Sequence, residues 1–246
     1  MRHAQVVSLF HELGHGFRNI VTKTRFAACH GGYDTDFIET PSKLLDHWFW
    51  SEEPLQRLAR HYSYVSPSCQ TLWEEINARR ESPNDRPPER MTQTMIASLL
   101  SSRYQYEVVE KLRQVALAMF SLNVHNPHTR QELEQMNLTV LYNELRDSHT
   151  MLSTGNEKPG HNYTTFSHVF GHWAAAYYSY VHSSAVAADL FRSKEGFNGD
   201  PNNKEAGLRW RRVVLQVGGS RPQAGLLAEF LGRAPSNIVF VGELLN

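Results

Sequence analysis

Residues 4–24, AQVVSLFHELGHGFRNIVTKT, place apolar side chains at Val6, Phe10, Leu13, Phe17 and Ile20/Val21. Intervals of three and four residues predict one amphipathic helix. Helical spacing returns at 37–50, with Pro41 near its first turns, and again after Ser51, a candidate cap for a stripe of Leu55, Leu58 and Tyr62. A short helix at 69–78 follows, then the charged, proline-bearing stretch RRESPNDRPPER at 79–90, which reads as a solvated connection. Long helical patterns occupy 91–123 and 129–146. The stretch STGNEKPGHNY at 153–163 has the composition of a mobile loop and precedes an aromatic segment at 166–191. A glycine turn, Gly218-Gly219-Ser220, separates the last two helices, the second spanning 222–231. No period-two run or internal repeat is present, so the expected class is mainly α, with little or no β.

Composition narrows the function. The 246 residues carry 25 Lys+Arg against 25 Asp+Glu, which gives no basic field for a nucleic-acid backbone. No run reaches the roughly 18 apolar residues of a membrane span, and no signal-peptide pattern is seen. Cys29 and Cys69 are too few for a disulfide framework, and they fit a reducing compartment. Thirteen histidines are the compositional anomaly, and they direct attention to metal chemistry.

Within the first helix, His11-Glu12-Leu13-Gly14-His15 is an HExxH motif. Residues four apart on a helix share a face, so both imidazoles can reach one ion, and zinc accepts nitrogen and oxygen ligands. Glu12 is placed to act as general base on a water. The third ligand is expected at Glu39, 24 residues past His15, on a return helix antiparallel to the first. The extended HExxHxxGxxH pattern is excluded, because Val21 stands where its histidine would be. Asp46, seven residues after Glu39, is either a partner for the outward nitrogen of a ligating histidine or a plain surface carboxylate.

FHELGH, then Thr24-Arg25-Phe26-Ala27, then DFIETPSKLLDHWFW resembles the catalytic segment of the thimet oligopeptidase, neurolysin and saccharolysin family of zinc metallopeptidases. The resemblance continues at Arg60-His61-Tyr62, Phe166-Ser167-His168, Tyr177-Tyr178-Ser179-Tyr180, Val217-Gly218-Gly219-Ser220 and Phe230-Leu231-Gly232-Arg233, and so covers almost the whole chain. It implies a multi-helix zincin-like catalytic domain over 1–246 that corresponds to the C-terminal portion of the family's usual chain. It implies one Zn²⁺ per chain held by His11, His15 and Glu39, with Glu12 as base. His168, Tyr177 and Tyr180 match positions that contact substrate and stabilise the oxyanion. The two tyrosines, three apart, are expected on one helix face.

The implied activity is hydrolysis of internal bonds in short peptides, with no nucleic-acid or membrane partner. The implied location is cytoplasmic, or mitochondrial if a preceding segment carried a transit peptide. Three departures stand out. Gly171-His172-Trp173 puts tryptophan where the family has a substrate-facing tyrosine. Asp46 stands in place of a glutamate. The family's N-terminal half has no counterpart here, which is expected to leave Phe10, Phe17, Trp48 and Trp50 uncovered and to favour self-association or a partner chain. These departures also admit a catalytically impaired peptide-binding scaffold, or one subunit of a split peptidase.

Overall fold

The computed structural model describes residues 1–152, 160–171 and 173–245. Residues 153–159 of the expected loop, and His172, lie outside the described residues. Eleven α-helices connected by turns and short 3₁₀ segments make up the described chain, and no strand occurs among the described residues. The mainly α class is therefore observed.

The first pair builds the site. Helix α1 (His3–Val21) crosses α2 (Thr40–Asp46), which runs on through a 3₁₀ turn at His47–Trp50 into α3 (Glu52–Leu58). The expected helix over 37–50 thus begins three residues late. Phe37–Glu39 lie in a turn, and Pro41, which has no N–H to give, occupies the first turn of α2, where none is required. Ser51 does not cap α3. Its hydroxyl donates to His47 O at 2.9 Å, closing the preceding 3₁₀ turn instead.

Helix α4 (Pro67–Ala78) precedes the solvated connection, and α5 (Gln93–His125) is the longest element. The single helix expected at 129–146 is two, α6 (Arg130–Gln135) and α7 (Leu138–Thr150). The break has a local cause: Asn137 Oδ1 accepts from Thr139 N and Val140 N, so the side chain caps a new helix at that point. The remaining helices are α8 (Ser179–Arg192), α9 (Lys204–Trp210), which passes into a π-helical turn at Arg211–Leu215, α10 (Gln223–Leu231) and α11 (Ile238–Leu245). The last of these was not read from the sequence.

The main core lies between α2, α8, α9 and α10 and is built on Phe37, Leu44, Leu190, Phe191, Trp210, Val214, Leu226 and Phe230. A smaller cluster of Phe49, Leu55 and Ile96 receives Val6 and Phe10 from α1. Of the four aromatics expected to stand uncovered, only Phe17 is exposed. Phe10 packs on Phe49 at 4.2 Å between ring centroids, Trp48 on Phe191 at 5.5 Å, and Trp50 against His3 at 4.4 Å.

Two ties fix the ends of this assembly. The Thr22 hydroxyl, buried at the end of α1, lies 2.7 Å from both Arg18 O and the Tyr33 hydroxyl, and Lys23 N donates to Gln216 O at 2.9 Å. Here the glycine turn at 218–220 comes so close to the 29–32 loop that a Cβ at Gly219 would overlap the Gly32 carbonyl. At the other end Asp189, fully buried in α8, receives both Arg233 nitrogens at 2.8 and 2.7 Å and Ser236 N at 2.8 Å. This bidentate pair holds the connection between α10 and α11 against α8.

Candidate metal centre

His11 and His15 lie one turn apart on α1, their rings 5.2 Å apart and nearly perpendicular. Opposite them Glu39, at the N-cap of α2 and 4% exposed, places Oε2 3.2 Å from His11 Nε2 and 3.5 Å from His15 Nε2. One ligand atom from each of the three residues falls within 4.8 Å of the others. Two imidazole nitrogens and one carboxylate oxygen converging in this way fit a divalent zinc ion with a further position left for water or substrate.

Asp46 is the partner, not a free surface carboxylate. Its Oδ1 lies 3.3 Å from His11 Nδ1, the nitrogen facing away from Glu39, and its Oδ2 lies 3.5 Å from Lys43 Nζ. A carboxylate in that position orients the ring and leaves Nε2 for a metal. Ser42, fully buried, donates toward Glu39 O and Oε2 at 2.8 and 3.2 Å. Arg18 donates to Ile38 O at 3.0 Å, stacks over Tyr33 at 4.6 Å and so pins the turn that carries Glu39. Neither Ser42 nor Arg18 was singled out from the sequence, although Ser42 at three residues past Glu39 has the spacing of a local hydrogen-bond partner.

The close crossing depends on Gly14, the buried fourth residue of the five-residue motif. A Cβ there would stand 2.5 Å from Ser42 Cα and 2.9 Å from Pro41 O, both backbone atoms that cannot rotate away. Gly14→Ala is therefore expected to force α2 off α1, costing about 1–3 kcal/mol of stability and weakening zinc affinity because Glu39 leads into α2. A thermal melt and a zinc titration check this, and wild-type values in both would contradict it.

Burial disfavours a charged His11, yet the neighbouring Asp46 and Glu39 outweigh it and raise the imidazole from 6.5 to about 9. Burial likewise disfavours the Glu39 carboxylate, but His11 and His15 hold it well below the usual carboxylate range. For the metal-free chain the sign follows. The raised His11 contributes stability that is complete below pH 6.5 and lost as pH rises through 9, and the lowered Glu39 contributes stability present above pH 4.5 and lost in acid. The melting temperature of chelator-treated protein should thus fall between pH 6.5 and 9. A profile rising over that interval would show that the cluster does not carry this charge.

A second group of residues flanks the cluster. His168, Tyr177 and Tyr180 form one aromatic wall, with His168 5.5 and 5.9 Å from the two tyrosine rings and the tyrosines 5.0 Å from each other. The expectation of a shared helix face is corrected here, since α8 starts at Ser179 and Tyr177 lies in the turn before it. Trp173 packs on Tyr180 at 5.0 Å, and Phe166 on Tyr177 at 4.7 Å. Burial first, and then the charges of Glu39, Tyr177 and Glu12, push the Tyr180 phenol above its ordinary value. Tyr180 therefore stands within electrostatic reach of both the cluster and the exposed Glu12. Thr40 of α2 and Ser183 of α8 join the two halves, their hydroxyls 3.2 Å apart while Ser183 donates to Asp36 O at 2.9 Å.

The family profile described as Peptidase family M3 matches residues 1–243. The chain belongs to peptidase family M3. Among its M3 relatives, Oligopeptidase PhomG of Diaporthe leptostromiformis is 31% identical over 98% of this chain and 34% of its own length. Saccharolysin of Saccharomyces cerevisiae is 29% identical over 99% of this chain and 31% of its own, and Oligopeptidase A of Escherichia coli 27% over 95% and 30%. The chain thus spans about a third of the length of these M3 proteins. Membership agrees with the resemblance read from FHELGH and DFIETPSKLLDHWFW. No helix among the described residues is long and apolar enough to cross a membrane.

Proposed function

We propose that residues 1–246 form the zinc-bearing catalytic domain of an M3 metallopeptidase that hydrolyses internal bonds of short peptides. The observation that carries this reading is the convergence of His11, His15 and Glu39 within 4.8 Å, with Glu12 on the same helix. His11, His15 and Glu39 would hold one Zn²⁺. When bound, zinc supplies Lewis acidity for activating water and polarising a carbonyl.

The chain's own groups supply the proton transfers and orientation. Glu12 is exposed and adjacent to a ligand, so its carboxylate takes a proton from the attacking water and returns it to the leaving amine. Asp46 keeps His11 in the orientation that presents Nε2. Burial raises both Tyr177 and Tyr180, which keeps the phenols protonated and able to donate to a developing oxyanion, and His168 in the same wall offers a third donor. The names of the M3 relatives, oligopeptidases among them, support short peptides as the substrate class.

The test is metal removal. Chelation should abolish cleavage of a quenched fluorescent peptide, and stoichiometric zinc should restore it. Unchanged cleavage in excess chelator would rule the reading out.

A second reading, one subunit of a split peptidase, is favoured by one observation. Leu9, Leu13, Phe17 and Ile20 are 37–79% exposed along a single face of α1, the helix that carries the metal-binding histidines. In that reading a separate chain covers this face and completes the substrate channel.

A further inference from the structure

The segment that carries Phe166 and His168 has little structure of its own. It runs through two short 3₁₀ turns, Asn162–Thr165 and Ser167–Phe170, closed by bonds such as Thr164 N to His161 O and Phe166 N to Tyr163 O, both at 3.0 Å. Turns this short do not hold a side chain in place unaided, so the seat of His168 depends on what grips the segment from outside. Val169, 1% exposed, fixes one end.

Helix α7 fixes the other. Asn143, buried in that helix, donates through Nδ2 to Gly160 O at 2.9 Å and to Thr139 O, one turn back, at 2.7 Å. The Thr139 hydroxyl stands 2.9 Å from His161 Nδ1 and 3.2 Å from the Tyr163 hydroxyl. The Tyr163 ring packs 5.9 Å from Tyr142 of α7 and 5.8 Å from Phe120 of α5. Asparagine is a poor residue for a helix interior, and its carboxamide is costly to bury. Here its N–H groups are used twice, once on its own helix and once across to the segment.

We propose that Asn143 is a positioning residue for His168. Its bond to Gly160 sets where residues 160–163 lie on α7, and the linked turns carry that placement on to Phe166 and His168, whose rings meet Tyr177 and Tyr180. Without it the Gly160 carbonyl loses its anchor and His168 loses its fixed seat in the aromatic wall. The metal-binding residues lie on α1 and at the start of α2, outside this path, so zinc binding is untouched. The effect on turnover rests on the reading of His168 as an oxyanion donor, whereas the placement of the ring does not.

Asn143→Leu, close in size and without a donor, tests this through two readouts. The first is the ring ¹H–¹³C signal of His168, identified by its disappearance in His168→Ala. Stacked at 28° on Phe166 and edge-on to both tyrosines, the ring is shifted by their ring currents. In Asn143→Leu its signal should move toward that of an exposed histidine, with zinc content unchanged. The second is cleavage of a quenched fluorescent peptide, where kcat should fall about tenfold with KM unchanged, because an oxyanion donor acts in the transition state. In the His168→Ala background the same change should lower kcat by less than about twofold. Thr150→Val, at a buried position of the same helix where the hydroxyl meets Arg146 O and Leu152 N, should leave both readouts at their wild-type values. A His168 signal that does not move in Asn143→Leu, or an undiminished fall in kcat in the His168→Ala background, would overturn the proposal. Should Asn143→Leu fail to fold, Asn143→Ser, too short to reach Gly160 O, is read in the same way. If peptide turnover is absent in every form, wild type included, the peptidase reading fails and the His168 signal alone decides the positioning role.

Discussion

Glu12→Gln is expected to lower kcat for a short peptide by about 10³-fold while leaving one zinc bound per chain. The carboxamide keeps the shape of the side chain but has no basic oxygen to accept the proton of the attacking water. Glu12 is exposed beside His11 and is not among the three residues whose ligand atoms converge, so its replacement leaves the metal-binding set intact. Peptide turnover and zinc content measured on the same sample separate the two roles. Retention of most of the activity would remove Glu12 from the mechanism.

The second large effect is on the metal itself. His11→Ala combined with His15→Ala removes both imidazoles and leaves Glu39 as a single buried carboxylate with Ser42 as its neighbour. One carboxylate does not hold zinc against dialysis, so the double variant should be metal-free and inactive. It should also melt lower, because Glu39 would lose the two partners that keep it ionised in a buried position. Elemental analysis after dialysis checks the first point, and equal zinc in wild type and variant would place the metal elsewhere.

Much of this site was legible in the sequence because α1 obeys one rule throughout. The apolar stripe and the histidine spacing have the same helical period and α1 forms where that period runs, although Leu13, Phe17 and Ile20 of the stripe stand exposed. Glu39 was legible by chemistry and spacing and Asp46 as one of two alternatives, but their setting was not. Apolar residues continue at helical intervals through Phe37 and Ile38, so periodicity alone cannot show that the chain is in a turn until Thr40. The same blindness joined α6 to α7, where the Asn137 cap ends one helix and starts another. Gly14 and Ser42 matter through the distance between two helices, which no local pattern records. Helix α11, eight residues long, is too short for its period to be distinguished from a buried apolar run.

The aromatic wall shows the reverse limit. Tyr177 and Tyr180 have helical spacing but do not share a helix, and they meet because the turn at 173–178 folds back on the start of α8. Their proximity to the cluster rests on the packing of α2 against α8 through Thr40 and Ser183, a contact across 143 residues of sequence.

The most direct test of the account is anomalous diffraction at the zinc absorption edge from crystals of the zinc-loaded chain. One peak per chain is expected, about 2 Å from a ring nitrogen of His11, a ring nitrogen of His15 and a carboxylate oxygen of Glu39. A peak at any other group of residues, or none at these three with zinc in excess, would contradict it.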